Sequence, residues 1–296
     1  MTEVPRILVI KLGALGDFVL AFGPFASIRA AHPGAEITLL TTAPYRPLTE
    51  RSPWFDHVIV DRRPSWWDVR GMMALRRALA GFDFVYDLQT SSRSGWYHAV
   101  AGRPPWSGIA RGASHPHRNP GRNTMHTIER QAEQLAMAGV TMVPPALEWW
   151  PLTMVPGAYA VLVPGAAPHR PRKRWPAAHF AALAVQVQAR GLRPIVIGTG
   201  ADGDAAETIL AACPRALDLT GRTTLLELGG LMRGAQLAVG NDTGPTHLAA
   251  ALGVRSVVLF SAESDPALTA PRGDVTVLQE PDLADLPVDR VLATLA

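Results

Sequence analysis

The sequence predicts an α/β protein of two doubly wound, Rossmann-like domains facing a central cleft. Three observations predict it. Short, almost continuous apolar runs alternate with longer helical stretches through both halves of the 296 residues, the mark of parallel sheets covered on both faces. A proline-rich stretch, "MVPPALEWWPLTMVPGAYA" (142–160), interrupts that rhythm and divides the chain into domains of residues 1–150 and 151–296. Polar or glycine-rich segments follow directly on the predicted strands, where ligands of such sheets bind.

In chain order, the first half offers strands in "RILVIK", "EITLL", "HVIV", "FVYDL" and "SGIA". Helices are predicted over 17–31, 67–80 and 127–138. The second half offers "YAVLVP", "RPIVIG", "QLAVG" and "RSVVLF", with helices over 177–190, 204–212, 224–232 and 246–252. A last helix is expected to pack back on the N-terminal domain. No solenoid-period repeat and no low-complexity tract is present.

Composition excludes several classes. Cys213 is the only cysteine, so there is no disulfide framework and no cysteine-based metal site. Neither a signal-type N-terminus nor a run of 18 apolar residues occurs, which points to a soluble, cytoplasmic protein. The formal charge of +3 is modest, but it is unevenly distributed. Between Leu88 and Ile128 there is no acid, only Arg93, Arg103, Arg111, Arg118, Arg122 and four histidines. "HRPRKR" (169–174) is a second basic cluster. Two basic regions suggest two anionic ligands or one long one. Nucleic acid is disfavoured, because Trp96, Tyr97 and Trp106 lack stacking-motif spacing.

The first candidate segment is "KLGALGDFVLAF" (11–22). Gly13 and Gly16 form a turn after the first strand, yet Asp17 would oppose a phosphate at the helix N-terminus. Asp17 reads either as a helix cap or as a general base. "DLQTSSRSGWYH" (87–98) offers Gln89 and Arg93 on the same half, followed by the basic region containing Arg122.

On the other half, "GNDTGPTH" (240–247) places Asp242 or Thr243 as cap of a helix opened by Pro245. Gly244 lets a ligand approach free backbone amides, and His247 lies early in that helix. Lys173 belongs to a basic loop that can neutralise a diphosphate or simply be solvated. Gly165 and Ala166 in "PGAAP" offer only backbone to such a ligand. "GTGADGD" places Asp202 where an acid commonly holds a ribose. Asp204 reads as a helix cap or as half of a weak carboxylate pair.

Together these residues resemble glycosyltransferase family nine, the ADP-heptose:lipopolysaccharide heptosyltransferases. The resemblance is carried by "ILVIKLGALGDFVLAFGPFASIRAAHPGAEITLLT", "YDLQTSSRS", "VPGAAPHRPRKRWPAAHFAAL" and "GNDTGPTHLAAALGVRSVVLF". It implies a GT-B fold and an inverting, metal-independent transfer that needs no cofactor, with ADP-heptose as donor. Asp17 then matches the catalytic base and Lys173 the phosphate-binding lysine. Asp242, Thr243, Gly244, His247, Gly165, Ala166 and Asp202 fall to the donor; Gly13, Gly16, Gln89, Arg93 and Arg122 fall to the acceptor. The implied partners are a nucleotide sugar and an anionic, lipid-linked envelope glycan at the cytoplasmic face of the inner membrane. The chain is shorter than typical relatives, and "PGAAP" lacks the hydroxyls many of them present. A transferase for another nucleotide sugar and a noncatalytic nucleotide- or glycan-binding protein are the alternatives. A nicotinamide oxidoreductase is disfavoured, since G-A-L-G-D is not G-x-G-x-x-G.

Overall fold

The computed structural model describes residues 4–167 and 169–295. The chain forms two compact units, Met1–Trp149 and Trp150–Ala296. In the first, strands β1 (Arg6–Ile10), β2 (Glu36–Thr41), β3 (His57–Val60), β4 (Phe84–Asp87), β5 (Trp106–Gly108) and β6 (His115–Pro116) form a six-stranded sheet in the order β3-β2-β1-β4-β5-β6. Every pairing is parallel. The order reverses between β1 and β4, and at such a switch point the loops after the two strands part and leave a crevice. Helices α1 (Leu15–Val19), α2 (Phe22–Ala31), α3 (Arg46–Thr49), α4 (Val69–Ala78), α5 (Ser92–Val100) and α6 (Thr127–Ala136) complete the unit.

The second unit repeats the plan. Strands β7 (Tyr159–Val163), β8 (Arg193–Val196), β9 (Leu217–Asp218), β10 (Leu237–Asn241), β11 (Ser256–Phe260) and β12 (Val275–Gln279) are ordered β12-β11-β10-β7-β8-β9. Its helices are α7 (Ala177–Ala189), α8 (Gly203–Ala212), α9 (Leu225–Gly234), α10 (Gly244–Ala251), α11 (Pro266–Thr269) and α12 (Val288–Ala293). β7 and β10 are buried along their whole length, as central strands of a doubly covered sheet must be.

Two expectations are corrected. The helix expected over 17–31 is two, α1 and α2, because the chain turns at Leu20 and Ala21. The short edge strands β6 and β9, and β12, are absent from the sequence reading. β12 is exposed or half-buried throughout, so it lacks the apolar run that marks a central strand. In α12, Val291 joins Trp175, Phe180 and Leu183 in one core, with Leu292 and Leu295 against it.

Candidate active site

Each unit carries a group of polar side chains at the carboxyl ends of its central strands. In the first, β1 runs into Lys11 and Leu12, which are buried. The loop is held from both neighbouring strand ends. Leu12 N donates to Gln89 Oε1 at 2.8 Å, Lys11 Nζ to Leu88 O at 3.2 Å, and Thr42 Oγ1 to Leu12 O at 3.0 Å. Gly13 has φ of 125°, and a Cβ there would lie 3.0 Å from Tyr45 Oη, so the position needs glycine on both counts. Tyr45 in turn stacks on Phe18 at 4.5 Å.

These contacts set α1, in which Ala14 is the N-cap and Asp17 lies in the first turn. Asp17 is half-buried, and among the described residues its carboxylate accepts no hydrogen bond. A cap would have used it. Its electrostatic neighbours are Lys11 and Tyr45. Burial pulls the Lys11 ammonium down to about 8, with Asp17 and Asp87 acting the other way.

Asp87, fully buried at the end of β4, accepts from Gln89 N and Thr90 N through Oδ1, while Oδ2 has no hydrogen-bond partner among the described residues. Burial pushes its carboxyl up to about 6. Lys11, Arg130 and Arg122 all act on this cluster. Arg122 also donates through Nε to His117 Nδ1 at 3.1 Å. Arg93 belongs elsewhere: it donates to Tyr97 Oη at 3.1 Å, which donates to buried Asp61 at 2.7 Å. The structure thus gathers Gly13, Asp17, Gln89 and Arg122 about the β1 and β4 ends and ties Arg93 to the Asp61–Tyr97 pair. Gly16 lies within α1. Lys11, Tyr45, Asp87 and Arg130 are additions; the first and third lie at strand ends and were legible by that rule.

In the second unit, Asp242 is the centre. Oδ2 accepts from Lys173 Nζ at 2.6 Å and Ser264 Oγ at 2.7 Å, and Oδ1 from His247 Nε2 at 3.0 Å. Burial pushes this carboxyl up, but the hydrogen bonds and charges of His247 and Lys173 outweigh it and hold it at about 2. One ammonium hydrogen of Lys173 is committed to Asp242, and a lysine has two more to offer. Asp242 is therefore not the cap of α10. Thr243 holds that position, and buried Thr246 Oγ1 closes the turn, 3.3 Å from Thr243 N and 3.0 Å from Asn241 O. The Gly244 N–H has no partner among the described residues and points from a helix N-terminus, where anions are favoured.

The loop after β7, described apart from Pro168, is strapped to these groups. Asn241 donates to Pro164 O at 2.8 Å and accepts from Trp175 N at 3.1 Å. Arg174 donates to Ala166 O and lies 3.5 Å from Asp202. A Cβ on Gly165 would meet Asp202 Oδ2 at 2.6 Å. Asp202 itself is buried and accepts from Thr199 N and Oγ1 at 2.8 and 2.9 Å. Its carboxylate closes the turn before α8, which leaves Asp204 in the first helical turn and not at the cap. Lys173, Asp242, Thr243, Gly244 and His247 are thus brought together, and Gly165, Ala166 and Asp202 form an adjoining group. Asn241, Arg174 and Ser264 were missed. Each follows or precedes a strand-end motif, but its partner is distant in sequence.

Residues 151–282 of this second unit match glycosyltransferase family 9 (heptosyltransferase). The chain is 27% identical over 305 aligned positions to lipopolysaccharide heptosyltransferase 2 of Escherichia coli K12, covering 90% of this chain and 85% of the relative. The chain is thus similar to the heptosyltransferases of glycosyltransferase family 9, whose family model matches its second unit. Lipopolysaccharide heptosyltransferase 1 of Pseudomonas aeruginosa is 26% identical over 293 residues, 90% of this chain and 81% of the relative. The solved E. coli ADP-heptose lps heptosyltransferase II superposes with a TM-score of 0.78 at 26% identity, over 98% and 97% of the two chains. A family 9 glycosyltransferase of Veillonella parvula gives 0.81 at 20% identity, over 98% and 96%, and shows the same fold. That likeness makes the chain a glycosyltransferase of the GT-B fold class.

Proposed function

We propose that this glycosyltransferase moves a heptose from ADP-heptose to a lipopolysaccharide core or similar envelope glycan, inverting the anomeric centre without a metal or cofactor. The observation that carries the reading is the Asp242 cluster, which fixes Lys173 beside the open N-terminus of α10. The relatives' names, lipopolysaccharide heptosyltransferases with an ADP-heptose donor, supply the sugar and the nucleotide.

In this reading Asp17 takes the proton from the acceptor hydroxyl as its oxygen attacks the anomeric carbon. The bond from that carbon to the diphosphate breaks, and ADP departs with the electron pair. Lys173, the Gly244 amide and the α10 N-terminus meet the developing charge. Thr243 shapes that turn, and His247 acts through Asp242. Gly165, Ala166 and Asp202 frame the rest of the donor site. Asp202 does so from behind Gly165, because its carboxylate is engaged by Thr199. Gln89, Arg93 and Arg122, with the space left by Gly13 and Gly16, serve an anionic acceptor. A lipid-linked acceptor brings the reaction to the cytoplasmic face of a membrane.

Mass spectrometry of the product from ADP-heptose and truncated lipopolysaccharide tests the reaction. Calorimetric titration with ADP, UDP and GDP ranks the nucleotides, and ADP should bind most tightly. Asp17→Asn should keep ADP affinity while turnover falls by several orders of magnitude. Unchanged turnover would remove Asp17 as the base.

A further inference from the structure

The segment between β3 and β4 presents a surface that the transfer reaction does not use. Trp66 and Trp67 are 79% and 69% exposed and stand edge to face, ring centroids 5.4 Å apart. By contrast, Trp54 and Trp106 of the same unit are buried. Val69 and Met73 extend the exposed apolar area along α4. That helix is two-sided. Leu75 faces the core with the following Leu79, while Val69 and Met73, four apart, share the opposite side with Arg70 and Arg77.

Charge follows the same surface. From residue 62 to residue 80 there are five arginines and a single acid, Asp68. Asp68 caps α4, accepting from Gly71 N at 2.9 Å. A cavity of about 580 Å³ adjoins the segment, lined by Ile59, Val60 and Leu75, by Arg62 and Arg70, and by Asp68.

We propose that the Trp66–Trp67 loop and the outward face of α4 dock this protein on an anionic phospholipid bilayer. Paired indoles suit the headgroup level, where a ring is half wet and half apolar. Arginines beside them suit lipid phosphates. The cavity, whose two arginines outnumber the cap-engaged Asp68 in its lining, suits a headgroup and the first carbons beneath it. The contact is peripheral: no helix among the described residues is long and apolar enough to cross a membrane. A symmetric contact with a second copy would set this arginine-rich face against itself. On a nucleic acid, Val69 and Met73 would have nothing apolar to cover. The proposal deepens the reading of a lipid-linked acceptor, yet it stands on residues outside the transfer chemistry.

The test is co-sedimentation of the full chain with phosphatidylcholine vesicles, with and without phosphatidylglycerol, in the absence of any donor. The protein should bind the anionic vesicles and release from them as salt rises. Arg70→Gln with Arg77→Gln should weaken that binding by about tenfold or more. Trp66→Ser with Trp67→Ser should weaken it comparably and leave the thermal midpoint unchanged, since both rings are exposed. Equal binding to neutral and anionic vesicles, or wild-type binding by both double variants, would overturn the proposal. So would a dimer, detected by light scattering, that the tryptophan substitutions dissolve. Transfer to a truncated, water-soluble acceptor should survive the tryptophan substitutions. Failed transfer with intact vesicle binding strikes the enzymatic reading and leaves this one standing.

Discussion

A buried carboxylate with three donors is a costly arrangement unless each donor stays. Asp242 has Lys173, His247 and Ser264, and removal of the acid would leave Lys173, 8% exposed, as an uncompensated cation. Asp242→Ala should therefore destabilise the protein by about 3 kcal/mol in urea unfolding. A cost below 1 kcal/mol would mean that the ammonium escapes to water. The pH dependence has a definite sign. The folded carboxyl titrates at about 2, below its ordinary 3.8, so its stabilisation is complete above that ordinary value and is lost as pH falls from about 4 to 2. Asp242→Asn should lose less stability than the wild type across that window, measured by thermal denaturation. Parallel curves would contradict the ion pair. Asp17 contrasts with Asp242 at this scale. Among the described residues its carboxylate has no hydrogen-bond donor, the condition a base needs if it is to accept a proton from a substrate.

At the scale of elements, α10 owes its position to Thr246 as much as to its cap residue. The buried hydroxyl donates to Asn241 O and Thr243 O, at 3.0 and 2.7 Å. Thr246→Val keeps the shape and removes these bonds. It should cost about 1–2 kcal/mol in unfolding free energy and weaken ADP binding in calorimetry, because the Gly244 amide moves with the turn. A stability loss without any change in ADP affinity would detach α10 from the donor site. The cap and the proline start of this helix were legible in "DTGPTH", because capping is local. The break between α1 and α2 was not. Gly23 and Pro24 in the first turn of α2 are its local sign, but the apolar run continues across it, since both helices bury phenylalanines in one cluster, Phe18 against Phe22 and Phe25.

The two units each have a sheet and core of their own, so the whole molecule should unfold in more than one step. Scanning calorimetry should resolve a transition for each unit. Leu8→Ala and Leu162→Ala, each truncating a fully buried side chain, would assign the two by lowering one apiece. ADP at a hundred times its Kd should stabilise only the transition of residues 150–296, by about 2.7 kcal/mol. A shift confined to the first unit would relocate the nucleotide site.

The sequence by itself determined the fold class, the strand ends that carry the polar groups and the family likeness, since apolar periodicity, caps and motifs are written in contiguous residues. Only the tertiary structure decided what each polar group does. Asp242 and Lys173 lie 69 residues apart, and Leu12 and Gln89 lie 77 apart. Local pattern carries no record of such pairings. They arise when parallel strands set distant loops side by side, and there burial and hydrogen-bond supply separate carboxylates engaged by the protein, Asp202 and Asp242, from Asp17, which has no such bond among the described residues.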